Sequence, residues 1–348
     1  MYREPVGVVG VISPWDFSLH LTNRSVAPAL ATGNAVVVKP SSLTPVTGGT
    51  LFAKIYEEAG LPPGVLSVVA GAGDEIGEVF VTHTVPRMMT FTGSTEVGRR
   101  IAATAGQHVK RAVLELGGNA PFIVLDDADL DRRNRHRGVR QVLQLGADLH
   151  RHQPHDRRSA RPRRVPRPVG QARGRAEMGR DPSAEGTAFG PIIDQRQFDR
   201  VRQFVDATIA AGARVVLDGP SQGLVMHPVI LADVTNDMPA ARNEIFGPVA
   251  VIIGVDGEDE AIRVANDTEY GLSSAVCTRS LERGVAVARR IAAGMTHIND
   301  SPMNDEANAP FGGAKQSGLG RFGGVWALQE FTATHWITVQ EKPRRYPF

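Results

Sequence analysis

Two hydrophobic rhythms alternate along the first third of the chain, one with the period of a strand and one with that of a helix. Residues 6–12 (VGVVGVI) form an apolar, β-branched run that predicts a strand, and a helical pattern follows over 22–32. The run AVVVK at 35–39 predicts a buried strand, and 45–59 predicts a helix with proline near its first turn. Strands at 65–69 and 88–92 then alternate with helices starting near 74 and 94. A series of βα units predicts a parallel sheet with helices on both faces. Ligands of such sheets bind beyond the carboxyl ends of the strands.

The same grammar returns in the second half. Phe198, Val201, Phe204, Val205 and Ile209 mark the apolar face of a helix that stops at Gly212, and 214–217 predicts the next strand. Helices are predicted over 258–265 and 281–291, the latter leading into a strand at 295–298. The string LSSAVC at 272–277 reads as a strand of small residues, in which Cys277 is most simply a buried apolar side chain. No internal repeat is visible.

Between the two regions the pattern breaks. Residues 132–175 hold 14 Arg, no Lys and two acids, Asp148 and Asp156, so they carry +12, and the rest of this +2 chain carries −10. The stretch also lacks Ile, Phe, Tyr, Trp and Met. It has little apolar surface with which to offset the entropy of ordering a chain, which predicts disorder or misfolding there.

Composition adds bounds rather than a function. A length of 348 residues suits two domains, and 42% hydrophobic with 22% charged residues is ordinary for a globular protein. No apolar run approaches the roughly 20 residues of a membrane span, and the charged start is unlike a secretory leader. A single cysteine excludes an intramolecular disulfide framework and a cysteine-cluster metal site. A cytoplasmic α/β protein without a metal is expected.

Candidate chemistry lies in short strings at the ends of the predicted elements. Pro14-Trp15-Asp16-Phe17 follows a strand, and Lys39-Pro40-Ser41 ends one. Phe91-Thr92-Gly93-Ser94-Thr95-Glu96-Val97-Gly98 joins a strand to a helix. Leu114-Glu115-Leu116-Gly117-Gly118-Asn119-Ala120-Pro121, Asn243-Glu244-Ile245-Phe246-Gly247-Pro248 and Pro310-Phe311-Gly312-Gly313 follow, with Lys315, Ser317-Gly318 and Gly320-Arg321 behind. Each string alone is weak. In this order and spacing they resemble the aldehyde dehydrogenase superfamily over residues 3–131 and about 177–348. Asn299-Asp300-Ser301, Asn304-Asp305-Glu306 and the terminal Arg344-Arg345-Tyr346-Pro347-Phe348 are most similar to its benzaldehyde and vanillin dehydrogenase branch.

The resemblance implies a doubly wound parallel-sheet coenzyme domain, a second α/β catalytic domain, and oxidation of an aldehyde to its acid with NAD or NADP. In that family a cysteine thiolate attacks the aldehyde, hydride passes to the nicotinamide, and water hydrolyses the thioester. Glu115 matches the general base for that water; otherwise it is a charged residue at a strand end. Lys39 matches the lysine on the adenosine ribose, and its plain alternative is a solvated lysine after a strand. Trp15, Gly93, Ser94, Gly98 and Leu116 fall at cofactor-contacting positions, Gly93 and Ser94 before a helix whose N-terminal amides face the pyrophosphate. Glu244 and Phe246 match residues that hold the nicotinamide ribose and ring; otherwise they are an ordinary turn. Gly71 and Gly73 lack the full dinucleotide fingerprint and read as a turn.

Three departures from the family pattern change the expectation. Asp16 stands where the family has an oxyanion-binding Asn; an ionised Asp only accepts hydrogen bonds and repels developing negative charge. Ser42 replaces a Glu that grips the ribose hydroxyls in NAD-preferring members, which leaves NAD against NADP open. The nucleophile's position falls inside the basic stretch, where there is no cysteine. Serines such as Ser159 lack an adjacent base and are poor nucleophiles. A working enzyme is therefore not expected from this sequence.

One reading explains the missing cysteine and the arginine excess together. Read one base later, codons for 138–142 permit Ala-Phe-Gly-Lys-Phe, and those for 145–150 permit Gly-Gln-Ile-Cys. Both resemble the family's nucleophile region, with the frame restored near Glu177. The family's large portion before the first strand is also missing, which predicts exposed apolar sheet surface. The expected organisation is 1–117 coenzyme domain, 118–318 catalytic domain with 132–176 scrambled, and 319–348 with an oligomerisation strand near 335–340. A homo-oligomer acting on a small aldehyde is expected, with no nucleic acid and no membrane. The alternatives are a cofactor-binding subunit without catalysis and an Arg-rich nucleic-acid binder, the latter lacking stacking aromatics.

Overall fold

The computed structural model describes residues 1–128, 148–152, 177–178 and 187–347. Its contacts divide the chain into two units: 1–116 with 305–312 and 318–348, and 117–304 with 313–317. Residues 305–312, expected in the catalytic domain, and 319–348, expected as a separate segment, thus group with the first unit.

In chain order the first unit supplies β1 (Tyr2–Pro5), β2 (Val8–Ile12), α1 (Ser18–Ala31), β3 (Ala35–Lys39), α2 (Leu51–Glu58), β4 (Leu66–Val68), α3 (Gly73–Thr82), β5 (Pro86–Thr92), α4 (Thr95–Gln107) and β6 (Arg111–Glu115). The second supplies β7 (Pro121–Val124), β8 (Asp148–His152), β9 (Glu177–Met178), β10 (Thr187–Phe189), α5 (Gln195–Ala210), β11 (Arg214–Leu217), β12 (Val229–Ala232), α6 (Pro239–Arg242), β13 (Val249–Val255), α7 (Glu258–Asn266), β14 (Ser273–Cys277), α8 (Leu281–Ala288) and β15 (Met295–Ile298). The chain then returns to the first unit with β16 (Gly318–Leu319), α9 (Gly324–Glu330) and β17 (Thr332–His335).

Six strands of the first unit form one sheet in the order β16-β6-β5-β2-β3-β4, parallel except for β16. From β2 the chain winds outward through β3 and β4, then crosses to β5 and β6 on the other side. This is a doubly wound sheet with its switch point between β2 and β5. Period-two alternation sorts the strand side chains onto two faces. Val9, Val11, Val36, Val38, Met88 and Val113 pack with Val26, Phe52 and Phe331, whereas Met89, Phe91 and Leu114 pack with Phe80 and Ile101. Burying each such side chain stabilises the fold by about 1.5–3 kcal/mol.

The second unit carries a seven-stranded sheet in the order β11-β12-β13-β8-β7-β14-β15, parallel except for β11. Within the basic stretch the described residues are those of β8, whose backbone pairs with β7 and β13. The frame-shift reading otherwise falls outside the described residues. No helix among the described residues is long and apolar enough to cross a membrane.

Several elements differ from expectation at their starts. Helix α1 begins at Ser18, before the predicted 22, because its cap is Phe17 in a left-handed conformation (φ 40°, ψ 41°) with no side-chain cap bond. No sequence signal marks such a start, since capping residues are normally Ser, Thr, Asp or Asn. The helix predicted from 45 opens as a π turn at Val46–Thr50 before α2. β17 ends at His335, where the oligomerisation strand is expected to start, and pairs antiparallel with β1. Trp336, Ile337 and Val339 beyond it are exposed.

Candidate functional site

Strand register brings the expected residues of the first unit to one edge of its sheet. Ile12 lies opposite Lys39 on one side and Phe91 on the other, and Thr92 lies opposite Glu115. Trp15 and Asp16 after β2, Lys39 and Ser42 at the end of β3, Gly93 and Ser94 after β5, and Glu115 ending β6 therefore share the carboxyl edge. That edge flanks the switch point, where doubly wound sheets bind ligands.

The part of this edge beside β3 fits a polar ligand. Lys39 is 5% exposed and donates one hydrogen bond, 3.2 Å, to the Pro40 carbonyl. Burial holds its ammonium below the usual lysine range. The hydroxyls of Ser13 and Thr44 are buried without a hydrogen-bond partner among the described residues. An under-bonded amine and two unsatisfied hydroxyls are costly unless something polar completes them. Ser42 is exposed.

At the next strand-to-helix turn, Ser94 caps α4 in extended backbone and accepts from the Val97 N–H at 3.4 Å. The first-turn amides of a helix so capped can receive an anion. Gly98 is fixed by close packing: a Cβ there would stand 2.1 Å from the Leu116 Cδ2. Leu116 is itself buried at 7% exposure. Leu116 and Gly98 therefore hold α4 against the end of β6.

Glu115 is the most enclosed acid of the site. The Arg24 Nη1 donates to its Oε2 at 2.6 Å, and the Thr92 hydroxyl donates to the same oxygen at 3.4 Å. Burial pushes its carboxyl above the ordinary range, against the opposing charge and hydrogen bond of Arg24. Asp16 is pushed up to about 6 by burial, with the Phe17 N–H bond opposing and the charge of Glu115 adding to the rise. Behind Glu115, Gly318 of β16 lies directly opposite in the ladder at φ +146°, where a Cβ would meet the Leu114 carbonyl oxygen at 2.2 Å.

In the second unit the remaining strings converge. The Glu244 Oε1 accepts from the Gly118 N–H at 3.0 Å, and Asn119 donates to the Ala241 carbonyl at 2.6 Å. The Ser317 hydroxyl donates to the Gly117 carbonyl at 2.6 Å and receives the Gly271 N–H at 2.8 Å. Phe246 adopts φ +54°, an unusual conformation for an aromatic residue. The Gln197 amide steadies it by donating to the Ile245 and Phe246 carbonyls at 3.1 and 3.0 Å. Cys277 is 1% exposed and packs with Phe122, Val124 and Ala275. Ser159 lies outside the described residues, and the position that the shifted reading gives to a cysteine, 149–150, falls in β8, whose backbone pairs with β7 and β13. No group of three or more metal-ligating side chains occurs among the described residues.

Sequence reasoning missed Arg24 and gave Asp305 and Phe311 no role. Arg24 also donates to the Asp305 Oδ2 at 2.5 Å, and its guanidinium carbon stands 3.9 Å over the Phe311 ring. No signal in the sequence marked it: His20 and Arg24, one helical turn apart, come to share Asp305 only in the fold.

Comparison with known proteins agrees with this geometry. The profile described as Aldehyde dehydrogenase family matches residues 1–147 and 158–337. A vanillin dehydrogenase of Corynebacterium glutamicum is 47% identical over 98% of this chain and 70% of its own length. A benzaldehyde dehydrogenase [NAD(+)] of Pseudomonas putida is 44% identical over 99% of this chain and 71% of its own. The crystal structure of an NAD-dependent aldehyde dehydrogenase from Sinorhizobium meliloti superposes with a TM-score of 0.90 at 37% identity, covering 99% of this chain and 69% of that one. Motif order, a doubly wound sheet with its acids at the switch point, and these matches lead to one assignment: the chain belongs to the aldehyde dehydrogenase family.

Proposed function

We propose that this scaffold is built to oxidise an aromatic aldehyde to its acid with NAD(P)+, and that the chain in its present sequence does not complete that reaction. The observation that carries the reading is Glu115, an acid buried at the carboxyl end of β6 beside the switch point. When bound, the nicotinamide supplies the acceptor for the aldehyde hydride. Lys39, whose carbonyl accepts from the Ser13 N–H, fits a ribose together with the unpartnered hydroxyls of Ser13 and Thr44, and the first turn of α4 after Ser94 fits the pyrophosphate. Glu244 and Phe246 are assigned to the nicotinamide ribose and ring on the family pattern. Ser42 offers no carboxylate to exclude a 2′-phosphate, so both cofactors are expected to bind.

Glu115 takes the proton of the water that releases the acid. A raised carboxyl keeps it a stronger base than an exposed glutamate. Asp16 donates to a developing oxyanion only while protonated, which its value of about 6 confines to mildly acidic solution. The missing part is the nucleophile, since the sole cysteine closes a buried strand. The exposed Trp336, Ile337 and Val339 are assigned to self-association.

The test combines peptide mapping across 132–176, titration with NAD+ and NADP+, and assay with benzaldehyde and vanillin. Protein with Arg-rich peptides should bind cofactor and form no reduced nicotinamide. Turnover by that protein would overturn the proposed defect, and failure to bind either cofactor would overturn the cofactor assignment. Peptides carrying Gly-Gln-Ile-Cys would instead mark a functioning dehydrogenase. Cofactor binding without turnover is also what a non-catalytic subunit would give, and stable association with an active homologue would favour that reading.

A further inference from the structure

Helix α1 sends one arginine into the acidic corner of the first unit. Its side chain is 9% exposed and meets two carboxylates: Glu115, itself 8% exposed, at 2.6 Å and Asp305 at 2.5 Å. His20, one turn earlier on the same helix, stands 3.3 Å from Asp305 and from the Arg24 Nη2. The Phe311 ring lies 3.9 Å beneath the guanidinium carbon, a position in which an aromatic face adds attraction for the cation. Arg24 is thus held on its far side by Asp305 and Phe311 while its near side grips Glu115.

The grip is one-sided. Arg24 and Thr92 both donate to Oε2, and neither bond uses Oε1. A buried carboxylate facing Asp16 and Asp305 would ordinarily keep its proton, since desolvation and like charge both disfavour ionisation. A single guanidinium opposes both effects. Arginine suits the place because it stays charged when buried and its planar fork can serve two carboxylates at once.

We propose that Arg24 is the positioning residue for Glu115, keeping its carboxylate ionised and leaving Oε1 as the oxygen that accepts a proton. Asp305 is a second acceptor for the guanidinium and, as a like charge, opposes the ionisation that Arg24 supports. This assignment rests on the reading of Glu115 as the base, and it concerns an acid whose protonation can be read without turnover.

The experiment is an isotope-edited infrared titration of the full-length chain labelled in glutamate, with the Glu115 band identified by subtracting the Glu115→Gln spectrum. Arg24→Met should move the Glu115 titration up by about one pH unit or more. Arg24→Lys should restore part of that shift, because it keeps the charge and loses the fork. Asp305→Asn should move it the other way, downward, by removing a like charge. This variant keeps the idea testable should Arg24→Met fail to fold. A purely packing role would give no such pair of opposite shifts. Unchanged titration in folded Arg24→Met, or an upward shift in Asp305→Asn, would overturn the proposal. The base reading fails separately: in protein that maps with a Gly-Gln-Ile-Cys peptide and turns over, benzaldehyde oxidation as fast with Glu115→Gln as without it would remove the base and leave the Arg24 contact standing.

Discussion

Two arginine clusters in this chain use the same chemistry at different depths. Arg24 joins Glu115 and Asp305 in the first unit, where Arg24 and Glu115 are 9% and 8% exposed. Arg283 joins Asp126, Asp127 and Glu258 in the second, where Arg283 and Asp127 are 33% and 30% exposed. At Asp127 burial works against the charge, but hydrogen bonds from the Thr278 hydroxyl and the Ser280 and Arg279 amides, with the charge of Arg283, outweigh it and hold the carboxyl low. At Glu115 burial wins and the carboxyl stays high despite a shorter contact to its arginine. Depth decides the balance, because water removed from a carboxylate must be replaced by more than one good donor. The shallow cluster reads as a clasp for the start of α8, and the deep one as a poised acid.

Removing each arginine should break that comparison in different ways. Arg24→Met should cost about 3–5 kcal/mol in urea denaturation at pH 8, since a buried acid loses its partner, and less at pH 5, where the acid can take a proton. A loss equal at both pH values would mean that Glu115 is not the group responding. Gly318→Ala, directly behind Glu115, should cost about 1–3 kcal/mol by pressing a Cβ on the Leu114 carbonyl. A neutral outcome would show that β6 can shift there without strain.

Asp16→Asn should act with the opposite sign. Because burial raises Asp16 to about 6, the native chain keeps a proton that the unfolded chain has released above the ordinary value of 3.8. Stability therefore falls as pH rises through that window and stays lower above it. Replacing the acid should recover on the order of 1 kcal/mol at pH 8 and almost nothing at pH 3, as read from melting curves across pH. Arg283→Ala should have the smallest effect, below about 1 kcal/mol and shrinking further in high salt. A larger loss would mean that the shallow cluster is better shielded from water than its exposure indicates.

Much of this was legible from residue patterns because the first unit repeats one local rule. AVVVK at 35–39 became β3 with unchanged ends, and 214–217 and 295–298 likewise became β11 and β15. β3 is largely buried, whereas β11 and β15 are half-buried or exposed, so β-branched residues as well as burial mark these runs as strands. The start of α1 was not legible, since Phe17 caps it through an unusual backbone angle rather than a side-chain bond. Of the site, Glu115 and Lys39 stood out through the resemblance of their strings to the family pattern, since a charge ending a strand by itself has a plain reading. Arg24 was hidden, because a single arginine in a helix looks like a solvated one until Asp305 and Phe311 arrive from far along the chain. Only the fold supplies that proximity.

The pairing of β6 with β16, and of β1 with β17, also sets an order of assembly. During synthesis the residues of the second unit, 117–304, leave the ribosome before 305–335 exist to complete the first. Until then the open edge of β6 has no β16, Arg24 has no Asp305, and β1 has no β17. Closing such distant contacts is slow. The first unit is therefore completed only after the second has been made, and its acidic corner is closed by Asp305 and Phe311 from beyond the second unit's residues.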